Sequence, residues 1–174
     1  MGMTGTPAGN ESNSPEKLWD LIRHIKFAMF TTRNGNGHLH SRPMTTQNGK
    51  GDEGNRLWFF MSRQSDPVGD LDTEPTVNVS YADPGADSYV SVSGTARVVE
   101  DRAKKQALWS KMTEAWFPGG VEDPDLALVE VDMTHAHYWD VKENKMTQLW
   151  KIAKAQMTGI PPKDMGETGD VRMQ

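Results

Sequence analysis

Apolar and polar residues recur along this chain with two different periods, and the change of period divides it into elements. Ser14-Pro15 predicts a helix start, and Leu18, Leu21, Ile22 and Ile25 follow at spacings of three and four, which lays one apolar stripe along a helix. From Phe27 the pattern shifts to short apolar or alternating runs bounded by turn residues. Phe27 to Thr32 reads as a strand, Asn34-Gly35-Asn36-Gly37 as a hairpin turn, and His38 to Gln47 as a second strand. Pro43 lies inside that strand and cannot donate to a ladder, so the stretch belongs at an edge, a bulge or a ligand-facing position. Asn48 to Asn55 is a longer Gly-rich turn. Leu57 to Met61 is the most apolar strand, Asp66 to Leu71 a short helix, and Val77 to Tyr81 a cleanly alternating strand.

The second half continues in this way. Tyr89 to Val99 reads as a long strand, with Gly94 marking a bulge or a close approach. Asp101 caps a helix running through Trp109 and on towards Ala115, which Phe117-Pro118-Gly119-Gly120 breaks. Leu126 to Asp132 and His135 to Val141 read as two further strands, and Lys145 to Gln156 as an amphipathic helix carrying Leu149, Trp150 and Ile152. The expected organisation is a disordered leader over 1–13, one domain over 14–157 and a flexible tail over 158–174. Six or seven strands joined by hairpins, with helices that interrupt them, favour a mainly β barrel or sandwich over a doubly wound sheet.

Composition narrows the function classes. The 174 residues are 36% hydrophobic with a net charge of −5, which gives no reason to expect nucleic acid or an anionic membrane as partner. There is no cysteine, so disulfides, thiolate nucleophiles and Cys-based metal sites are excluded. No apolar run approaches the roughly 20 residues of a membrane span, and a cytoplasmic location is expected.

Candidate chemistry gathers at a few places. Arg42 sits on the second strand beside Pro43, followed by Met44, Thr45 and Thr46. Its guanidinium suits a phosphate or a carbonyl, although a surface arginine on an edge strand reads equally from spacing. Phe60-Met61-Ser62-Arg63-Gln64-Ser65 ends a strand in hydroxyl and basic groups, suited to a phosphate or simply a polar strand exit. His38/His40 and His135/His137 are alternate strand pairs that lack a placed third metal ligand, so no metal is expected. Of the six tryptophans, Trp58 is expected in the core, whereas Trp109 and Trp116 suit an exposed interface.

The ordered segments Phe30-Thr31-Thr32, Ser41-Arg42-Pro43-Met44, Leu57-Trp58-Phe59-Phe60, Ser93-Gly94-Thr95-Ala96, Trp116-Phe117-Pro118-Gly119-Gly120 and Tyr138-Trp139-Asp140 are similar to one family. They resemble the pyridoxamine 5'-phosphate oxidase-like FMN-binding split barrels, in the general stress protein 26 branch. The resemblance implies a six-stranded antiparallel split β-barrel that works as a homodimer with FMN at the subunit interface. It implies that Arg42, Pro43, Met44 and Thr45 line the flavin and that Phe60 and Met61 form the next binding strand. Ser62 and Ser65 match the phosphate end, Tyr89 a contact supplied by the partner subunit, and Trp139 a tryptophan near the flavin.

Two departures refine this. Asp66-Pro67 stands where the family carries a phosphate-binding lysine two residues after its serine. Lys145-Met146-Thr147-Gln148-Leu149 stands where true pyridoxamine phosphate oxidases carry paired arginines, so vitamin B6 oxidation is not expected. The expected function is an FMN-dependent oxidoreductase of unassigned substrate, with no catalytic acid or base indicated. The alternatives are a non-catalytic flavin-sequestering module, or a barrel holding a deazaflavin or a tetrapyrrole.

Overall fold

The computed structural model of the protein describes residues 14–141, 145–161 and 167–173. The leader expected over 1–13 lies outside them. The first helix, α1 (Pro15–Ile25), starts where local chemistry places it: the Ser14 hydroxyl accepts from the Lys17 N–H at 3.3 Å and Pro15 takes the first turn. Leu18, Trp19, Leu21 and Ile22 form its buried stripe, and the helix ends at Lys26, whose N–H reaches the Ile22 carbonyl at 2.8 Å.

The strands β1 (Phe27–Arg33), β2 (Leu39–Thr45), β3 (Arg56–Ser62), β4 (Thr76–Asp83), β5 (Ser88–Val99), β6 (Leu126–Asp140) and β7 (Glu167–Arg172) form one antiparallel sheet. Its order is β2-β1-β4-β5-β6-β3, with β7 also on β6. The first six curl into a split half-barrel closed around Phe30, Leu57, Phe59, Val79, Val92, Val129 and Tyr138, all fully buried. Phe30 and Phe59 meet edge to face at 5.2 Å across it. Tyr81 is buried too, sharing a 2.7 Å hydrogen bond with Thr46, and burial pushes its phenol well above the ordinary value.

The split lies between β2 and β3, the two ends of the sheet order. The Gln47 N–H donates to the Trp58 carbonyl and the Trp58 N–H to Asn48 Oδ1, both at 2.9 Å, but the two strands share no ladder. Pro43 therefore stands on an edge strand with no interior ladder to break, as its missing N–H requires.

Several sequence expectations change in detail. The two strands expected between Leu126 and Val141 are one strand, β6, of 15 residues over Leu126–Asp140. The pairing steps from Ser93–His135 to Gly94–Met133, so Thr134 is an extra residue on β6, absorbed as a bulge with its hydroxyl on the Ser93 carbonyl at 3.1 Å. Gly94 is required opposite it, because a Cβ there would lie 2.4 Å from the Asp132 carbonyl oxygen. The helix expected beyond Asp101 is divided into α3 (Arg102–Leu108) and α4 (Lys111–Trp116), after the short α2 (Asp66–Leu71) earlier in the chain. Trp109 turns extended to set its ring against Phe60 at 6.1 Å, and Ser110 caps the restart through the Thr113 N–H at 3.3 Å.

The stretch expected as a tail is structured in part. The last helix, α5, spans Lys145–Thr158 with Leu149 and Trp150 exposed, and β7 pairs with the half of β6 that β3 leaves free. Val171 is buried, and Gly169 lies flush on Tyr138, where a Cβ would meet the ring at 2.4 Å. Asp170 reaches His135 Nε2 at 2.7 Å and His137 Nδ1 at 3.5 Å. No helix among the described residues is long and apolar enough to cross a membrane.

Candidate functional site

Because β2 and β3 part beyond Gln47, they leave a groove of ≈ 500 Å³ lined by strand residues on two sides. Pro43, Met44 and Thr45 come from β2, and Phe60, Met61 and Ser62 from β3, with Ser65 at the start of α2. Seven of the expected site residues are thus brought together from two distant segments. The groove also takes Phe27, Gln47, and a wall from α4 and its exit, Met112, Thr113, Trp116 and Phe117, which the sequence reading did not include. Trp116 was expected to be exposed and is, at 78%; Trp58 is buried as expected.

Arg42 is not in the groove lining. Its register partner is Phe30, an inward residue, while Pro43 pairs with the outward Met29. Side chains on a strand alternate, so Arg42 turns to the interior side. There Nη1 donates to Thr32 Oγ1 at 2.8 Å, and Thr32 in turn donates to Asp70 on α2 at 2.7 Å. Its Nη2 is buried with no partner among the described residues. An unmatched buried guanidinium N–H is costly, and an anionic oxygen is the kind of partner that would satisfy it.

The hydroxyls expected at the phosphate end are committed internally. Ser62 donates to Asp125 Oδ1 at 2.8 Å, and Ser65 donates to the Ser62 carbonyl at 2.6 Å. Arg63 pairs with Glu100. That hydrogen bond from Arg63 is the main reason the Glu100 carboxyl lies below the ordinary carboxylate range. Asp66 stands exposed and Pro67 is buried, so the carboxylate at this departure faces water.

Tyr89 and Trp139 are paired with each other across β5 and β6 and do not line this groove. Both are partly exposed, at 38% and 41%, on the sheet's outer face, where Trp139 contacts His137 at 4.4 Å.

A family model for pyridoxamine 5'-phosphate oxidase-like proteins matches residues 13–163. The chain belongs to that family. β7 lies beyond the matched span. Protein bli-3 of Neurospora crassa is 32% identical over 161 residues, covering 84% of this chain and 75% of the relative. A Jannaschia structure assigned to general stress protein 26 superposes with a TM-score of 0.71 at 26% identity, covering 91% of this chain and 97% of the other. The general stress FMN/FAD-binding protein of Xanthomonas citri superposes at 0.65 with 33% identity, over 75% of this chain and 89% of its own. These likenesses agree with the split barrel and with the general stress protein 26 branch read from the sequence.

Proposed function

We propose that this protein binds FMN in the groove between β2 and β3 and acts as a flavin-dependent oxidoreductase. The observation that carries the reading is an uncharged groove between β2 and β3, three of whose lining residues, Pro43, Met44 and Thr45, directly follow Arg42 on β2. Pro43, Met44, Thr45, Gln47 and Phe60 offer a flat apolar bed with backbone and amide hydrogen-bonding groups, which suits the isoalloxazine ring and ribityl chain. Arg42, on the strand that gives the groove Pro43, Met44 and Thr45, is the cationic residue assigned to the phosphate in this reading. The 33% identical Xanthomonas citri protein, an FMN/FAD-binding protein, supports the same cofactor class. When bound, the flavin supplies the hydride or electron chemistry; the chain supplies orientation and exclusion of water.

The working unit in this reading is a homodimer. One register row crosses the outer face through Pro43, Met29, Ser80, Ser91, His137 and Asp170, so the groove edge and the Trp139 side share one surface. Pairing two such faces lets Tyr89 and Trp139 of each subunit complete the other's groove. The purified protein is expected to show flavin absorbance and to release FMN on denaturation. A colourless protein that takes up no FMN on titration removes the reading.

A second reading, a flavin-binding module without turnover, is favoured by one fact: among the described residues, no side chain lining the groove is a carboxylate, histidine, lysine or arginine. Reduction of the bound flavin by NADH or NADPH separates the two, since ready reduction is expected of an enzyme and inertness of a binder.

A further inference from the structure

We propose that α5 is an arm that lies on the second subunit of the dimer and roofs the mouth of that subunit's groove. The inference rests on the dimer reading above and adds the element that closes each site.

The helix belongs to an excursion tied down at both ends. β6 ends at Asp140, and β7 returns to it with Glu167 opposite Asp140 and Thr168 opposite Trp139. The arm is therefore rooted beside Trp139, on the outer face given to the subunit contact. Its own groove is far from that root. Phe60, in the groove lining, pairs with Leu128, twelve residues before Asp140 on β6, or about 40 Å along the strand. The 14 residues of α5 span only about 21 Å, and none of its described side chains lines the groove. In the paired dimer the same root stands at the partner's groove, because Trp139 of each subunit faces the groove of the other.

The surfaces that meet in this arrangement match. Leu149, Trp150, Ile152 and Met157 of α5 are 65%, 65%, 42% and 89% exposed, an apolar surface that the helix's own barrel leaves uncovered. At the mouth of the groove Met112 and Trp116 are 53% and 78% exposed, a second uncovered apolar surface. Charge agrees with this pairing. Residues 145–158 carry three lysines and no acidic residue, whereas residues 111–125, the α4 wall and the turn after it, carry four carboxylates against one lysine. Lys154 stands over the Trp150 ring at 5.3 Å, so a cation travels with the largest apolar anchor of the arm. The rest of the barrel is acidic as well, with nineteen Asp and Glu against thirteen Lys and Arg over residues 14–141. A second copy therefore attracts the helix, while an anionic lipid surface repels the body to which the helix is fastened.

The test uses the full chain, which has no native cysteine to interfere. Sedimentation equilibrium first establishes the dimer. Ala153→Cys and Met157→Cys, both at exposed arm positions, are made in turn on one set of chains. Glu114→Cys, at an exposed α4 position outside the groove lining, is made on a second set carrying a size tag. The two sets are mixed through a dissociation step and treated with a short bismaleimide. A product joining one tagged to one untagged chain is expected from at least one arm position, and it should be lost when Leu149→Glu and Trp150→Glu are added to the arm. In FMN-loaded protein that double variant, with the native residues at the cysteine positions, is expected to raise iodide quenching of the flavin about threefold with the dimer retained. A dimer that yields no mixed product overturns the proposal, whether the arm joins a second arm instead or carries the protein onto phosphatidylserine vesicles. Unchanged quenching in the double variant overturns it too, because the arm then roofs nothing. A monomer in sedimentation removes the dimer reading and the proposal with it. Failure to take up FMN removes only the flavin reading, and the cross-link, read without FMN, still decides where the arm lies.

Discussion

Arg42 holds one guanidinium nitrogen on Thr32 and buries another without a partner among the described residues, on the strand whose next three residues line the groove. If that nitrogen meets the flavin phosphate, Arg42→Ala is expected to weaken FMN by about 1.5–3 kcal/mol, while riboflavin, which lacks the phosphate, is affected far less. Parallel titrations with the two flavins check this, and equal losses would point to a general loosening of β2. Glu100 is the second informative residue. Its carboxyl is held below the ordinary range, first by the hydrogen bond from Arg63, so the pair stabilises the fold above the unfolded carboxylate pKa and ceases to do so as pH falls through the folded value. The pair is largely exposed, so the stability effect is small. Glu100→Gln is expected to flatten the acid side of the stability profile slightly. It also frees Arg63 next to Ser62, so FMN affinity should rise while riboflavin affinity stays level, as read by the same titrations.

At the scale of elements, the bulge and the last strand carry the most consequence. Gly94→Ala would drive a methyl into the Asp132 carbonyl at 2.4 Å, where backbone cannot yield cheaply, and is expected to cost about 1–3 kcal/mol in urea unfolding. The strand β7 extends the lane of β3 along β6, buries Val171 and seats Gly169 on Tyr138. Val171→Ala is expected to destabilise by about 1–2 kcal/mol, measured by thermal or urea unfolding. A protein as stable as the parent would mean that β7 lies on the barrel without contributing to its core. The short break between α3 and α4 matters differently: the Ser110 cap lets α4 start afresh and turn Trp116 and Met112 towards the groove.

For the whole molecule, the outer face is the decisive surface. Phe27 and Met29 expose 63% and 43% of their surface there, and Tyr89 and Trp139 stand on the same side of the sheet. Met29→Glu is expected to shift the protein to monomer in sedimentation equilibrium and to lower FMN affinity in the same concentration range. A variant that stays dimeric with full affinity would place the subunit contact elsewhere.

The helix start at Ser14-Pro15, the Asn34–Gly37 hairpin, the edge position of Pro43 and the special role of Gly94 were legible because each depends on residues close in sequence: a cap, a turn, a missing N–H, a missing Cβ. The groove residues of β2 and β3 were legible through the order of their motifs. Other features were not. Arg42 faces inward because pairing with β1 sets its register, and strand composition does not show which face is which. Ser62 and Arg63 look free to hold a phosphate until Asp125, 63 positions on, and Glu100, 37 positions on, are brought beside them. Thr134 reads as a strand break until β5 runs past it and turns it into a bulge. The sequence by itself determined most of the elements, the barrel class and most of the strand residues at the split, because short-range propensity and alternation act locally. Only the tertiary structure decided which polar groups remain unmatched, which wall α4 gives the groove and where the last strand docks, because those depend on contacts between segments far apart in the chain.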